Sequence, residues 1–567
     1  MLHVIVKISQ SDRGITMKRV LLILFVFFVT VLPTMADETC LTCHQESAFV
    51  HRCRNIAVSP TTLMESVHAK FACVDCHYKG HEDYPHQKFD SRISCGECHK
   101  EALAQYQNSS HYLALRAGNV EAPDCTSCHS QHQVLDPQEA FHGQNGIKAC
   151  RQCHNDPDKN IRAGLKPALV KGFEHSYHGQ MYNLGHDGEE FATCISCHGS
   201  HAILGRDNPD ATIYQNNLVE TCSQCHTDVN TNFSGYLNHY SLDNNESAVL
   251  DKLTHFMELL FRGTMIVFGL HTLLWFMRTM VTTGCKATSA AYQSENVIIR
   301  FRLQERMMHL IMVLSFLTLA ATGLPLKFSN SPFSEWIYKN LIGFDVAAQI
   351  HRIAGVVLLV LFIFYVLYLL IYRLIIRGER GMLWGVDSLM LQPKDVADFF
   401  RHIAYFLFLR SEPPKFDRWT YWERFDYFAV FWGMFVIGIS GLVLLLPMQV
   451  TVFFPGWVIN FAHIFHSEEA LLATAFIFIV HFFNTHLRPG TFPIDDAIFT
   501  GRITVEQLQE ERPLEYERLL QSGQLDLLRA EPLAHWQVVL LRIMGLSFVF
   551  IGLSLLVLII TSVFDLL

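Results

Sequence analysis

Residues 463–486 read HIFHSEEALLATAFIFIVHFFNTH, and this stretch decides how the C-terminal half of the chain is understood. Between its ends the run is apolar enough to cross a bilayer, yet it holds His463, His466, His481 and His486. Polar side chains at membrane depth are costly and are usually there for a function. On an α-helix the separation of His466 from His481 amounts to about 22 Å along the axis and a rotation of roughly 60°. One helix can therefore offer an imidazole at each of two depths.

Working outward, windows long enough to span fall near 256–280, 307–327, 347–372, 426–446, 463–484 and 538–560, predicting an all-α bundle of about six helices. If what precedes the bundle is exported, the alternation puts 281–306, 373–424 and 485–537 in the cytoplasm. Those connections carry Arg373, Arg377, Arg380, Arg401, Arg410 and Arg424, whereas 448–462 carries neither arginine nor lysine, in keeping with the positive-inside rule. His351 and His466 then share the outer level, and His309 and His481 the inner one. A single membrane histidine is more often a hydrogen-bonded helix contact, but two depth-matched pairs favour ligation. His463 rivals His466; His271 and His486 rival the inner ligands and, with His255, leave a third site open. His402 and His535 are expected to face water or headgroups.

The first half explains what the imidazoles would hold. Fourteen of its cysteines fall in CLTCH (40–44), CVDCH (73–77), CGECH (95–99), CTSCH (125–129), CRQCH (150–154), CISCH (194–198) and CSQCH (222–226). In C-x-x-C-H two thiols form thioethers with haem vinyl groups and the adjoining histidine ligates iron. The thioether positions are Cys40, Cys43, Cys73, Cys76, Cys95, Cys98, Cys125, Cys128, Cys150, Cys153, Cys194, Cys197, Cys222 and Cys225; the proximal ligands are His44, His77, His99, His129, His154, His198 and His226. Zinc knuckles would not demand histidine after every second cysteine. Cys53 and Cys285 have no partner at this spacing and read as ordinary thiols.

Nineteen histidines lie between Asp37 and Leu250, leaving twelve for seven sixth-ligand positions. That surplus favours two-histidine iron throughout. The preferred distal ligands are His68, His111, His132, His201, His175 or His178 in EHSYHG, and His239, with His51, His81, His86, His142 and His186 in reserve. Their pairing with individual motifs is not written in the sequence order. With about one macrocycle per thirty residues, haem faces must serve as the interior, so short helices at the motifs and long loops between them are expected. The membrane histidines then predict two noncovalent haems b beside seven covalent haems c.

A net charge of −9 argues against nucleic-acid binding. Met17-Lys18-Arg19, the apolar run Val20–Leu32 and Thr34-Met35-Ala36 read as an export signal cleaved after Ala36, or else as an uncleaved anchor. Residues 1–16 fit neither reading and suggest a start codon placed too early. The expected organisation is a signal peptide (1–36), a loop-rich, mainly α, periplasmic seven-haem cytochrome c domain (37–250) and a transmembrane di-haem domain (251–567).

CHGSHAILGRDNPDATIYQNNLVETCSQCH, with EHSYHG before it and YLNHY after it, resembles exported multihaem cytochromes c of respiratory bacteria. ERMMHLIMVLSFLTLAATGLPL, HRIAGVVLLV, RWTYWERFDYFAVFWGMFVIGISGLVL and HSEEALLATAFIFIVHFFNTHLRP resemble the di-haem cytochrome b subunits of formate dehydrogenases and nickel-iron hydrogenases. In that family the ligands come from the helices matching those of His309, His351 and His466/His481. The whole is similar to cytochrome b/multihaem cytochrome c fusions in the inner membranes of metal-reducing bacteria, a resemblance that implies menaquinol oxidation.

The expectation is therefore a quinol dehydrogenase of the quinol:cytochrome c oxidoreductase type. It would sit in the bacterial inner membrane, with the quinol pool as donor, a periplasmic cytochrome c or other acceptor, and a dimer or larger complex left open. Glu468 and Glu469 are outer candidates for accepting quinol protons, Glu305 and Asp426 inner ones, and Arg352 a candidate propionate partner. A relay subunit for a dehydrogenase or hydrogenase, and a multihaem terminal reductase, are the alternatives.

Overall fold

The computed structural model describes residues 38–44, 58–78, 93–141, 143–185, 191–282, 296–488 and 491–565. The signal segment, Cys53, Cys285 and the reserve histidines His51, His81, His86, His142 and His186 lie outside them. The chain is mainly helical, with a loop-rich motif region followed by six membrane-length helices. It divides into two compact units, one joining residues 1–152 to 192–221, the other joining 153–191 to 222–567.

In the first unit single helical turns carry the motifs, as at Cys73–Cys76 and Cys125–His129. The turn is what the chemistry needs, because residues three and four apart share one face. Asp124 caps its turn, its carboxylate accepting from the Ser127 N–H at 3.0 Å. Ser130 ends it at φ 61°. Gly199 ends the Cys194–His198 turn in the same left-handed region, at φ 74°. Thiols of different motifs meet, Cys95 with Cys125 and Cys150 with Cys194. Ile147 and Ala211 are the only apolar side chains fully buried here among the described residues. That is too little for a conventional core of this length.

The second unit holds six helices long and apolar enough to cross a membrane: Ala248–Thr282, Leu303–Lys327, Phe344–Ile376, Tyr421–Leu445, Trp457–Leu487 and His535–Ser562. The fifth is the central one. Leu471, Phe478 and Phe482 on it pack with Leu317, Ala320 and Leu324 of the second helix and Val549, Leu558 and Ile559 of the sixth. At one end of the bundle, antiparallel strands Val297–Ile299, Arg502–Thr504 and Arg529–Ala530 form a small sheet, with the first strand between the others. A fully buried Arg300–Glu515 ion pair at 2.8 Å ties this cap together.

At the opposite end the motif-bearing segments of the same unit seat directly on the bundle. Asn460 clamps the backbone of Leu237, donating to its carbonyl at 2.9 Å and accepting from its N–H at 3.0 Å. Asn232 donates to the Thr451 carbonyl at 3.0 Å. Gly456 is required here, because a Cβ would collide with the backbone at Tyr236 and Asn232. Leu184 packs with Tyr338, Phe344 and Ala347.

Candidate haem sites

An iron holding one imidazole on each face, at a metal–nitrogen distance of about 2 Å, places the two ring centres about 6 Å apart. This provides a geometric test of the expected ligands. In the first unit His68 and His99 lie 5.9 Å apart between ring centres, His77 and His132 6.2 Å, and His129 and His201 6.0 Å. Each pair joins one motif histidine to one expected distal histidine. In the second unit His226 of the last motif lies 6.1 Å from His178. Burial, with His226 beside it, pushes the His178 imidazole down to about 4, so its ring is neutral and keeps a lone pair for a metal.

The remaining expected c-haem ligands are placed as follows. His44 ends the helix Glu38–His44, and His198 ends the turn Cys194–His198. His154 has its Nδ1 3.3 Å from Oδ1 of buried Asn160. His239 has its Nδ1 2.9 Å from the Leu169 carbonyl. His111 lies on the helix Ser110–Arg116.

One chamber of about 1780 Å³ runs through the second unit, lined by His178, His226, His351, His466, His309 and His481. A pocket for a single small ligand is roughly 300–1,000 Å³, so this one has room for more than one large planar group. His351 on the third helix and His466 on the fifth face each other with ring centres 6.4 Å apart. Small residues make room beside them: a Cβ on Gly323 would stand 3.0 Å from the His351 Cε1, and one on Gly441 3.2 Å from that of His466. Metal-binding imidazoles characteristically give their second nitrogen to an acceptor. The His351 Nδ1 is 2.9 Å from the Thr322 hydroxyl. That of His466 is 3.1 Å from the Ile437 carbonyl and 3.2 Å from the Ser440 hydroxyl. Thr322 and Ser440 are contributions that sequence reading missed, since a hydroxyl amid an apolar helix signals nothing until its cross-helix neighbour is known.

At the inner level His481 gives its Nδ1 to Asp426 Oδ2 at 2.9 Å. Asp426, expected as a proton acceptor, is thus engaged in orienting an imidazole, and its Oδ1 is buried without a hydrogen-bond partner among the described residues. His309 lines the same chamber from the second helix, within electrostatic range of His481. The rival His486 lies 6.3 Å from His481, but both belong to one helix. Two imidazoles on successive turns of one helix cannot grip opposite faces of a macrocycle, because their own backbone occupies the gap. His486 also lines the chamber, with His309 in electrostatic range; its Nδ1 accepts the Asp495 N–H at 3.3 Å and its ring stacks on Phe499. The helix is π-wound at Ile477–His481 and Phe483–Leu487. The uniform α-helical spacing expected from sequence therefore does not hold at His481. Such local π turns frequently mark functional positions.

His271 is bound elsewhere. Its Nε2 meets the Tyr421 hydroxyl at 2.5 Å, and the His402 Nδ1 meets the same hydroxyl at 2.9 Å. Trp275, Phe399, Phe406 and Trp422 close around them. His271 is buried inside this aromatic box. His402, expected to face water or headgroups, is buried. His463 lines the chamber one turn from His466 and has Lys327 and His175 in electrostatic range.

The two outer glutamates differ. Glu468 pairs with Lys327 at 2.8 Å, whereas Glu469 is buried, lines the chamber beside Gly433 and makes no ion pair among the described residues. Glu305 also borders the chamber, but its carboxylate accepts the Arg302 N–H at 2.8 Å as a helix cap. Arg352 lines the chamber next to Tyr177.

A family model described as prokaryotic cytochrome b561 matches residues 300–487, which include His309, His351, His466 and His481. A second, for the doubled CXXCH motif, matches residues 118–159. No curated protein matches the chain. A cytochrome b561-type domain and CXXCH motifs thus stand in one chain, with haem b as the group of the first and haem c as that of the second.

Proposed function

Starting from a multi-pass membrane electron-transfer cytochrome, we propose that the chain is a quinol:cytochrome c oxidoreductase that takes electrons from menaquinol. The observation that carries this reading is the continuity of the chamber, which the last CXXCH histidine and both pairs of membrane histidines line together. His351 with His466, and His309 with His481, would hold two haems b; seven haems c would be held by the motifs, four of them between the imidazole pairs measured above. When bound, the haems supply one-electron carriers leading from a two-electron donor dissolved in lipid to an acceptor outside.

The protein's own part is positional and protonic. Thr322, Ser440 and Asp426 fix the imidazoles, and the Asn460 clamp holds the motif segment against the bundle. Each quinol gives up two protons, and Glu469, buried and without a counter-ion among the described residues, is the acceptor the chamber offers at the outer level. Glu468 is already neutralised by Lys327. The arginine-rich connections support a cytoplasmic cap with Arg300 and a periplasmic motif region. Four two-imidazole motif sites leave little support for a terminal reductase, which needs an iron with an open position.

The test uses the purified full-length holoprotein and a soluble menaquinol analogue, with the b and c α-bands followed anaerobically. Reduction of b followed by c is expected. Reduction of c with b remaining oxidised, or no reduction by quinol at all, overturns the proposal.

A further inference from the structure

The connection between the third and fourth membrane helices contains the helix Pro393–Phe406, which buries charged and polar groups beside apolar ones, Phe399 and Ile403 packing partly buried into an aromatic cluster. A helix packed on a protein and facing water buries its apolar stripe. Here the buried side carries Asp395, Asp398 and His402 as well as Phe406. Each polar group is matched: Asp395 by Arg424 at 2.8 Å, Asp398 by Arg401 at 3.1 Å, and His402 by Tyr421 at 2.9 Å. The outward side presents Val396, 60% exposed, and Phe400, 64% exposed, one turn apart. The exposed apolar surface continues beyond the helix as Leu407, Phe408 and Leu409, and before it as Leu383, Trp384 and Val386.

We propose that residues 383–410 lie in the membrane interface as a half-embedded element, with Val396, Phe400 and Leu407–Leu409 among the lipid chains of the leaflet on the arginine-rich side. Three observations select lipid over other occupants. The helix packs against the first and fourth membrane helices, so its outer face continues their lipid-facing surface. Exposed cations border the apolar face, as headgroup phosphates require: Arg410, and Lys394 and Arg401, which also reach the buried Asp398 at 3.9 and 3.1 Å. The internal ion pairs satisfy the helix's carboxylates without water, which a water-facing helix does not need. The expectation that 373–424 is simply cytoplasmic is thereby revised for this segment: it is a seventh membrane contact that does not cross.

The test places the photo-crosslinking amino acid p-benzoylphenylalanine at position 400, and in a separate variant at 396, of the full-length holoprotein in native membranes. After irradiation, the peptide carrying the label is identified by mass. A phospholipid adduct at both positions is expected, together with its loss when the same residue is placed at Glu510 on the cytoplasmic cap. An adduct to a second copy or another protein, or a label that reacts at 400 no more than at 510, overturns the proposal. Haem content of each variant, read from its absorption spectrum, establishes that the labelled protein is folded.

Discussion

The Nδ1 of His481 lies 2.9 Å from Oδ2 of Asp426, across from the fifth membrane helix to the fourth. A carboxylate at that nitrogen makes the imidazole a stronger donor to a metal, which favours the ferric state. Replacing Asp426 with Asn keeps a hydrogen bond but removes the charge. The midpoint potential of one b haem should rise, by on the order of 60 mV, the one-electron equivalent of a tenfold change. Redox titration of the b α-band measures it, and two unshifted b potentials would refute the pairing.

His466, and not His463, faces His351 with ring centres 6.4 Å apart. His466→Ala should therefore lose one noncovalent haem, while His463→Ala keeps both. The ratio of b to c haem in the pyridine haemochrome spectrum separates the two, and the opposite pattern would move the outer ligand one turn along the helix.

His178, 6.1 Å from His226, is expected to complete the last motif's iron. In His178→Ala the haem stays attached through Cys222 and Cys225 but gains an open position. A high-spin c signal that binds carbon monoxide should appear, with total c haem unchanged. A fully low-spin spectrum would assign the sixth ligand elsewhere.

Much of this was legible in the sequence for a physical reason: the membrane helices and the C-x-x-C-H turns are local patterns, set by runs of apolar residues and by contacts three and four positions apart. Cross-helix facts were not legible. Nothing local marks Thr322, Ser440 or Asp426 as the residues that orient His351, His466 and His481. The π turn at Ile477–His481 is not marked by any local pattern, so the even α-helical spacing read from the sequence does not hold there. A polar residue in a connection between membrane helices ordinarily faces water, and His402 departs from that because the Tyr421 hydroxyl and the surrounding aromatic rings take it in. That the His271 Nε2 meets the same hydroxyl is likewise a cross-helix fact that no local pattern marks.

Glu469 and Glu468 make a matched comparison on adjacent positions. Glu469→Gln should slow reduction of the b haems by quinol analogue by about a hundredfold, the lower end of what proton transfer by a positioned group contributes, and leave reduction by dithionite unchanged. Stopped-flow absorbance checks both rates. Equal loss in Glu468→Gln would show that the effect is not specific to the buried carboxylate.

In the cap, Arg300 and Glu515 are buried together, and Arg418 adds a second contact to Glu515 at 3.1 Å. Glu515→Ala leaves two cations without their partner and should cost about 3–5 kcal/mol, while Arg300→Met with Glu515→Leu recovers most of it. Thermal unfolding of the detergent-solubilised protein measures the difference, and additive losses in the double variant would contradict it.

Two pairs of imidazoles line the membrane chamber, and the central proposal is that they grip two haems that no cysteine holds. Acid-acetone extraction of the purified protein, quantified against the haem that remains covalently attached, tests it most directly. Two extractable protohaems for every seven retained haems are predicted; a protein that releases none would contradict the account.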